Sequence, residues 1–141
     1  ETLGAHATVH VGEQDPVEET RRLAGGGLDL VLETAGSVEA VELATRLVRP
    51  GGRVVLLGIA GEGKVLELPA DRIMFGDMDV IGSCSYTTSA WGRVVDLLAR
   101  GLVDFEPLVT HRFPAARFED AFEVLDNRDG VVAKVLLEHV V

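Results

Sequence analysis

Among its 141 residues the chain has one cysteine, one tryptophan and one tyrosine, and aromatic residues make up only 5%. A lone Cys84 excludes an internal disulfide and fits a reducing compartment, so the expected localisation is cytoplasmic. Basic residues are scarce: 13 Lys and Arg stand against 23 Asp and Glu, for a net charge of −10. That balance disfavours nucleic acid and anionic membrane as partners. No apolar run approaches the roughly 20 residues of a membrane span. Familiar catalytic signatures are missing as well. Gly58-Ile59-Ala60-Gly61-Glu62-Gly63 does not match a dinucleotide fingerprint, and there is no Walker loop, G-x-S-x-G elbow, C-x-x-C or H-E-x-x-H. Repeats, low-complexity stretches and linkers are absent too.

What the chain does have is apolar residues, 47% of the total, with a mean hydropathy of +0.23. Such a sequence suits one α/β domain with a covered sheet, or a domain that buries surface against a partner. The pattern is clearest from Leu28 to Ile59. Leu30-Val31-Leu32 and Val54-Val55-Leu56-Leu57 are continuous apolar runs, as expected of parallel strands covered on both faces. Between them Val38, Val41, Leu43, Ala44, Leu47 and Val48 recur with the period of an amphipathic helix. Ser37 is placed to cap that helix, and Pro50-Gly51-Gly52 to stop it and turn the chain back. This is a strand–helix–parallel strand crossover.

The remaining elements fall around it. Glu1 to Ala5 reads as the tail of a helix stopped by Gly4, so the chain is expected to be a fragment whose opening elements lie upstream. Ala7 to Val11 is expected to be a short strand, and a helix to run from Pro16 to Leu23. After the crossover come a Gly-rich loop at 60–64, an extended piece at 65–68 and a helical turn at 69–75. A strand follows at 79–84, then a helix at 90–100 with Trp91, Val94, Val95, Leu97 and Leu98 inward. The last part reads as an extended segment at 108–113, a helix at 116–125 and a closing strand at 131–137. Phe118, Ala121, Phe122 and Leu125 share one face of that last helix. Alternation from end to end predicts an open, mostly parallel α/β sheet.

Ligands of such sheets sit beyond the carboxyl ends of the strands. That points to Thr34-Ala35-Gly36, Leu57-Gly58-Ile59 and Gly82-Ser83-Cys84-Ser85, each with a glycine where a strand becomes a loop. Glycine there admits a flat ligand to the backbone, though it equally serves a tight turn. Other candidates are weaker. His6 and His10, in a strand, would lie roughly 13 Å apart and share no metal. His111 is a candidate general base without an evident acidic partner. Cys84 has no activating base beside it and reads as a small strand residue.

In order along the chain, Asp29 to Gly36, Leu47 to Gly58, Ile81-Gly82-Ser83, Pro107 to Phe113, Ala121-Phe122 and Gly130 to Leu137 resemble one known family. The whole chain is similar to the C-terminal two-thirds of the cofactor domain of zinc-type medium-chain alcohol and polyol dehydrogenases. The resemblance implies a Rossmann-like, doubly wound parallel sheet, N-terminally incomplete. It also implies hydride transfer between NAD or NADP and an alcohol or ketone. Residues 1–141 would be a partial dinucleotide-binding domain, with about 102–141 returning toward a catalytic domain. Thr34, Ala35 and Gly36 would line the cofactor groove. Leu57, Gly58 and Ile59 would hold the nicotinamide, the Leu57 carbonyl accepting from its carboxamide, with backbone groups of Ser83 and Ser85 completing the contact. Lys134 would face the pyrophosphate. No catalytic residue and no metal ligand is implied here: zinc would belong to the absent catalytic domain, and these residues alone would not catalyse the reaction. The family's dimers or tetramers imply pairing through the strand at Asp79–Tyr86, an apolar edge open to a second copy. Two readings from the residues stay beside this one: an adenosylmethionine-dependent methyltransferase-like domain, suggested by Pro50 to Gly58, and a non-catalytic dimerisation domain.

Overall fold

The computed structural model describes residues 3–127 and 129–139. It divides into two compact units, Glu1–Ser85 and Tyr86–Val141. The first contains α1 (Pro16–Ala24), β1 (Leu28–Glu33), α2 (Val38–Leu47), β2 (Val48–Leu56), α3 (Ala70–Phe75) and β3 (Asp79–Gly82). Its three strands are parallel, in the order β1-β2-β3. Local chemistry sets the helix ends. The Asp15 carboxylate accepts from the Val17 and Glu18 N–H groups at the start of α1, and Gly25 closes it in a left-handed conformation. The Ser37 hydroxyl accepts from the Ala40 N–H at the start of α2.

The core lies between α2 and the sheet. Val31, Ala44, Val48 and Val54 are buried there, with Leu28, Leu47, Leu56 and Met78 packed around them. Val54, on the middle strand, is fully buried. The sheet is covered on one face within this unit, not on both as the apolar runs predicted: Val31 and Glu33 point in, while Leu30 and Leu32 are more than half exposed. A strand's side chains alternate, so an apolar run fills two faces only where two layers exist.

Pro50-Gly51-Gly52 does not precede the second strand but lies within β2. Leu28 and Leu30 stand opposite Val48 and Arg53, so the extra residues form a bulge, with Gly51 at φ +72°. Two short strand expectations fail for want of a partner. Residues 7–10 and 65–68 join no ladder, and 11–13 form a turn. The helix tail expected at 1–5 falls partly on Glu1 and Thr2, outside the described residues; Leu3 and Gly4 form a turn and a bend.

The second unit contains α4 (Thr88–Ala99), β4 (Val109–Pro114), α5 (Phe118–Asn127) and β5 (Lys134–Glu138). β4 and β5 form their own parallel pair, a second strand–helix–strand crossover. α4 starts where expected, with the Thr87 hydroxyl accepting from the Ala90 N–H. Its apolar stripe is not inward: Trp91 is 56% exposed and no residue of α4 is buried, because no element of its own unit packs extensively against it. On α5 only Ala121 is buried, while Phe118, Phe122 and Leu125 are exposed. No described helix is long and apolar enough to cross a membrane.

Candidate functional site

The three glycine-bearing turns at the carboxyl ends of β1, β2 and β3 come together, laced by main-chain hydrogen bonds. The Glu33 carbonyl accepts from the N–H groups of Leu57 at 2.9 Å and Gly58 at 3.1 Å, and the Leu56 carbonyl accepts from the Ser83 N–H at 2.9 Å. Parallel register brings this about, since Glu33 pairs with Leu56 and Leu56 with Gly82. Gly36 adopts φ +70°, and a Cβ there would lie 2.8 Å from the Ile59 N and O atoms. A Cβ on Gly58 would lie 2.3 Å from the Gly36 N. Both glycines are therefore required by the approach of one turn to the other, whatever the ligand.

Gly82 is different. Its φ is not left-handed and a Cβ built on it would meet nothing within 4 Å. It lines a cleft of about 320 Å³ with Leu56 to Ile59 and Ser83 to Ser85. Three expected nicotinamide contacts, Leu57, Gly58 and Ile59, thus share one hollow with Ser83 and Ser85. Among the described residues the Leu57 carbonyl accepts no hydrogen bond and the Ser85 N–H donates none, whereas the Ser83 N–H is already committed. The floor is open, with unclaimed main-chain acceptors and donors at its sides, the Leu57 carbonyl and the Ser85 N–H among them, which suits a flat, amide-bearing ligand. Ser85 holds φ +63°, unusual for a residue with a side chain and found where surroundings enforce it. Thr34 and Ala35 line a separate hollow of about 190 Å³ against Ala40, Leu43 and Ala44 of α2.

Sequence reasoning passed over Glu33. Its side chain is 4% exposed, and Oε1 accepts the Gly36 N–H at 2.7 Å, which fixes the turn after β1. Oε2 is buried without a partner. The available signal was an acid closing the apolar run of β1 directly before Thr-Ala-Gly. Lys134 opens β5 in the second unit, exposed, its carbonyl accepting from the Thr110 hydroxyl.

Elsewhere the histidine candidates gain little. His111 Nδ1 lies 2.9 Å from the Thr110 hydroxyl and its ring stacks on Phe113. No carboxylate bonds to it among the described residues. His10 lies 3.6 Å from the Glu13 carboxylate, and both are exposed. No group of three potential ligands gathers for a metal among the described residues. Cys84 is exposed. Displaced ionisation occurs among residues that do not line the cleft at Gly82. N–H donors hold the Asp15 carboxyl below its usual range, the Arg22 guanidinium does so for Glu19, and hydrogen bonds from the helix start do so for Glu39. Arg112 is raised by Glu138 and Glu106 on either side of it. What chemistry the cleft offers is therefore main-chain recognition.

Residues 1–100 match the family model described as zinc-binding dehydrogenase. An L-threonine 3-dehydrogenase from Symbiobacterium thermophilum is 36% identical over 139 residues, covering 96% of this chain and 38% of that protein. Among solved structures, an alcohol dehydrogenase from Thermus sp. ATN1 superposes with a TM-score of 0.88 at 29% identity, over 96% of this chain and 39% of that one. A zinc-binding dehydrogenase candidate from Sinorhizobium meliloti 1021, bound to NADP, gives 0.83 at 33% identity, over 96% and 40%. The chain spans roughly two-fifths of the length of the proteins it matches.

Proposed function

The chain belongs to the zinc-binding dehydrogenase family, and from that membership we propose that it forms part of the cofactor-binding domain of a cytoplasmic NAD- or NADP-dependent alcohol or polyol dehydrogenase. When bound, the nicotinamide supplies the centre that gains or loses hydride. This chain's residues hold and orient it. The Leu57 carbonyl would accept from the carboxamide, the Ser85 N–H would donate to it and the Ser83 carbonyl would be a further acceptor, with Gly58, Ile59 and Gly82 leaving room for the ring. Thr34, Ala35 and Gly36, in the turn after β1, would take the rest of the cofactor.

The observation that carries this reading is the open floor at Gly82, flanked by the unclaimed Leu57 carbonyl and Ser85 N–H. The family match favours it over the adenosylmethionine-dependent and non-catalytic dimerisation readings. Residues 1–141 then make up part of the dinucleotide-binding domain, with 102–141 leading back to a catalytic domain that holds the zinc. Homodimers or tetramers form through Asp79–Tyr86; exposed Val80 and Ile81 on β3, at the sheet edge, support that. Within that stretch the strand β3 ends at Gly82, short of the expected residue 84, because the backbone turns at Ser85. The test is fluorescence titration of the full-length gene product with NADH and NADPH, alongside its zinc content. One nucleotide should bind tightly to a zinc-loaded protein. A well-folded, zinc-free product that binds neither would sink the proposal.

A further inference from the structure

At the opposite end of β2 from the glycine turns lies a cleft of about 390 Å³, lined by Arg21 of α1, Thr45 and Arg46 of α2, Arg72 of α3, and apolar Val48 and Met78. The start and end of β2 are on the order of 20 Å apart at strand rise, so this is a separate place from the proposed groove. Three arginines from three different helices line it, in a chain where acids outnumber bases by 23 to 13. Among the described residues none of the three forms an ion pair. Arg49, also at the rim, is committed to Asp29 at 2.6 Å and to the Pro50 carbonyl.

Arg72 is half-buried, and its Nη1 donates to the Thr45 hydroxyl at 3.3 Å. That hydroxyl donates in turn to the Glu42 carbonyl at 2.7 Å, so the arginine is held by a fixed, buried acceptor. A simpler account is that Arg21 and Arg46 only sit at helix C-termini, where cations are favoured. Two helix ends contribute roughly half a negative charge each, however, and the Asp15 carboxylate, near enough for Arg46 and Arg21 to favour its charged form, contributes one more, so three guanidinium groups still leave a surplus of about one positive charge.

We infer that this cleft is an anion site for a phosphorylated small molecule: the guanidinium forks take the phosphate, and the Val48 and Met78 wall takes an apolar portion. The planar fork suits phosphate geometry, and the volume lies in the range of small-molecule sites rather than single-ion sites. This does not rest on the dehydrogenase reading. The test is calorimetric titration of the full-length protein with phenyl phosphate and with inorganic phosphate, at low salt where screening is weak. Phenyl phosphate should saturate and bind at least about tenfold tighter than inorganic phosphate. Arg72→Gln and Arg46→Gln should each weaken it about tenfold or more, the loss of a charged hydrogen bond. Arg93→Gln, on α4, should leave it unchanged. Arg46 is exposed, so its variant stays informative if Arg72→Gln perturbs folding. Absence of saturable binding, equal affinity for the two probes, indifference to Arg46→Gln, or competition by NADH would each overturn the assignment.

Discussion

The chain builds the same unit twice. β1-α2-β2 and β4-α5-β5 are both parallel strands joined by a helix, yet the first closes over four buried apolar residues and the second, among the described residues, buries Ala121 alone. In the first, a third strand flanks β2, so Val54 has neighbours on every side. In the second both strands are edges, and Val135 and Leu136 are only half-buried. Topology is shared, but a dry core needs a strand with partners on both sides. The first crossover carries the stability of its unit; the second holds its strands partly through surface charge, Arg112 bridging Glu138 at 2.7 Å and Glu106 at 2.6 Å.

The sharpest way to break the comparison is at the turns. Gly58→Ala forces a Cβ to within 2.3 Å of the Gly36 N, and main chain cannot yield as a side-chain tip does. A loss of about 3 kcal/mol is expected by urea denaturation, with weakened nucleotide binding in the full-length protein. Gly130→Ala in the second crossover meets no neighbour and has only its φ of +78° against it, so about 1 kcal/mol is expected. Next is Val54→Ala, which removes two buried carbons and leaves a hole, for about 2 kcal/mol. Val135→Ala should cost less than half as much. Equal effects in either pair would mean that the two crossovers are packed alike.

The sequence made the first crossover legible because its signals are local and agree. Ser37, the 3.6-residue period and the two apolar runs specify the same elements. The glycines at 36, 58 and 82 also marked the right ends of the right strands. Their different reasons were not visible: Gly36 and Gly58 answer contacts between residues over twenty apart, while Gly82 faces open space. Glu33 was hidden for a similar cause, since an acid ending a strand looks exposed until the Gly36 N–H is seen to hold it. The stripe of α4 shows the reverse. Its period was real, but period reports amphipathicity and not what lies opposite. Ala7 to Val11 reads as a strand and has no ladder partner among the described residues.

Helix caps give a smaller contrast. Ser37→Ala should destabilise by about 1 kcal/mol, because α2 is built into the core and fraying at its start exposes Val38 and Val41. Thr87→Ala removes an equivalent bond from α4, where nothing is buried, and should change global stability less. Equal losses on thermal melting would show that α4 contributes as much as α2.

The smallest effect is electrostatic and belongs to the first unit. The Asp15 carboxyl is held below its ordinary value first by the N–H donors of Glu18 and Val17, with Arg46 and Arg21 adding to it. A carboxylate whose folded-state pKa is depressed binds its proton more weakly when folded than when unfolded. Its contribution is therefore complete above the ordinary carboxylate range near 4 and is lost as pH falls through the lower folded value. Asn caps a helix about as well as Asp but does not titrate there. Asp15→Asn should accordingly leave stability near pH 7 almost unchanged and flatten part of the decline below about pH 4, read from urea midpoints as the pH is lowered. Glu19 and Glu39 are depressed in the same sense, so a residual slope must persist in the variant. An unaltered slope would place the acid sensitivity of the first unit on those two residues and away from the α1 cap.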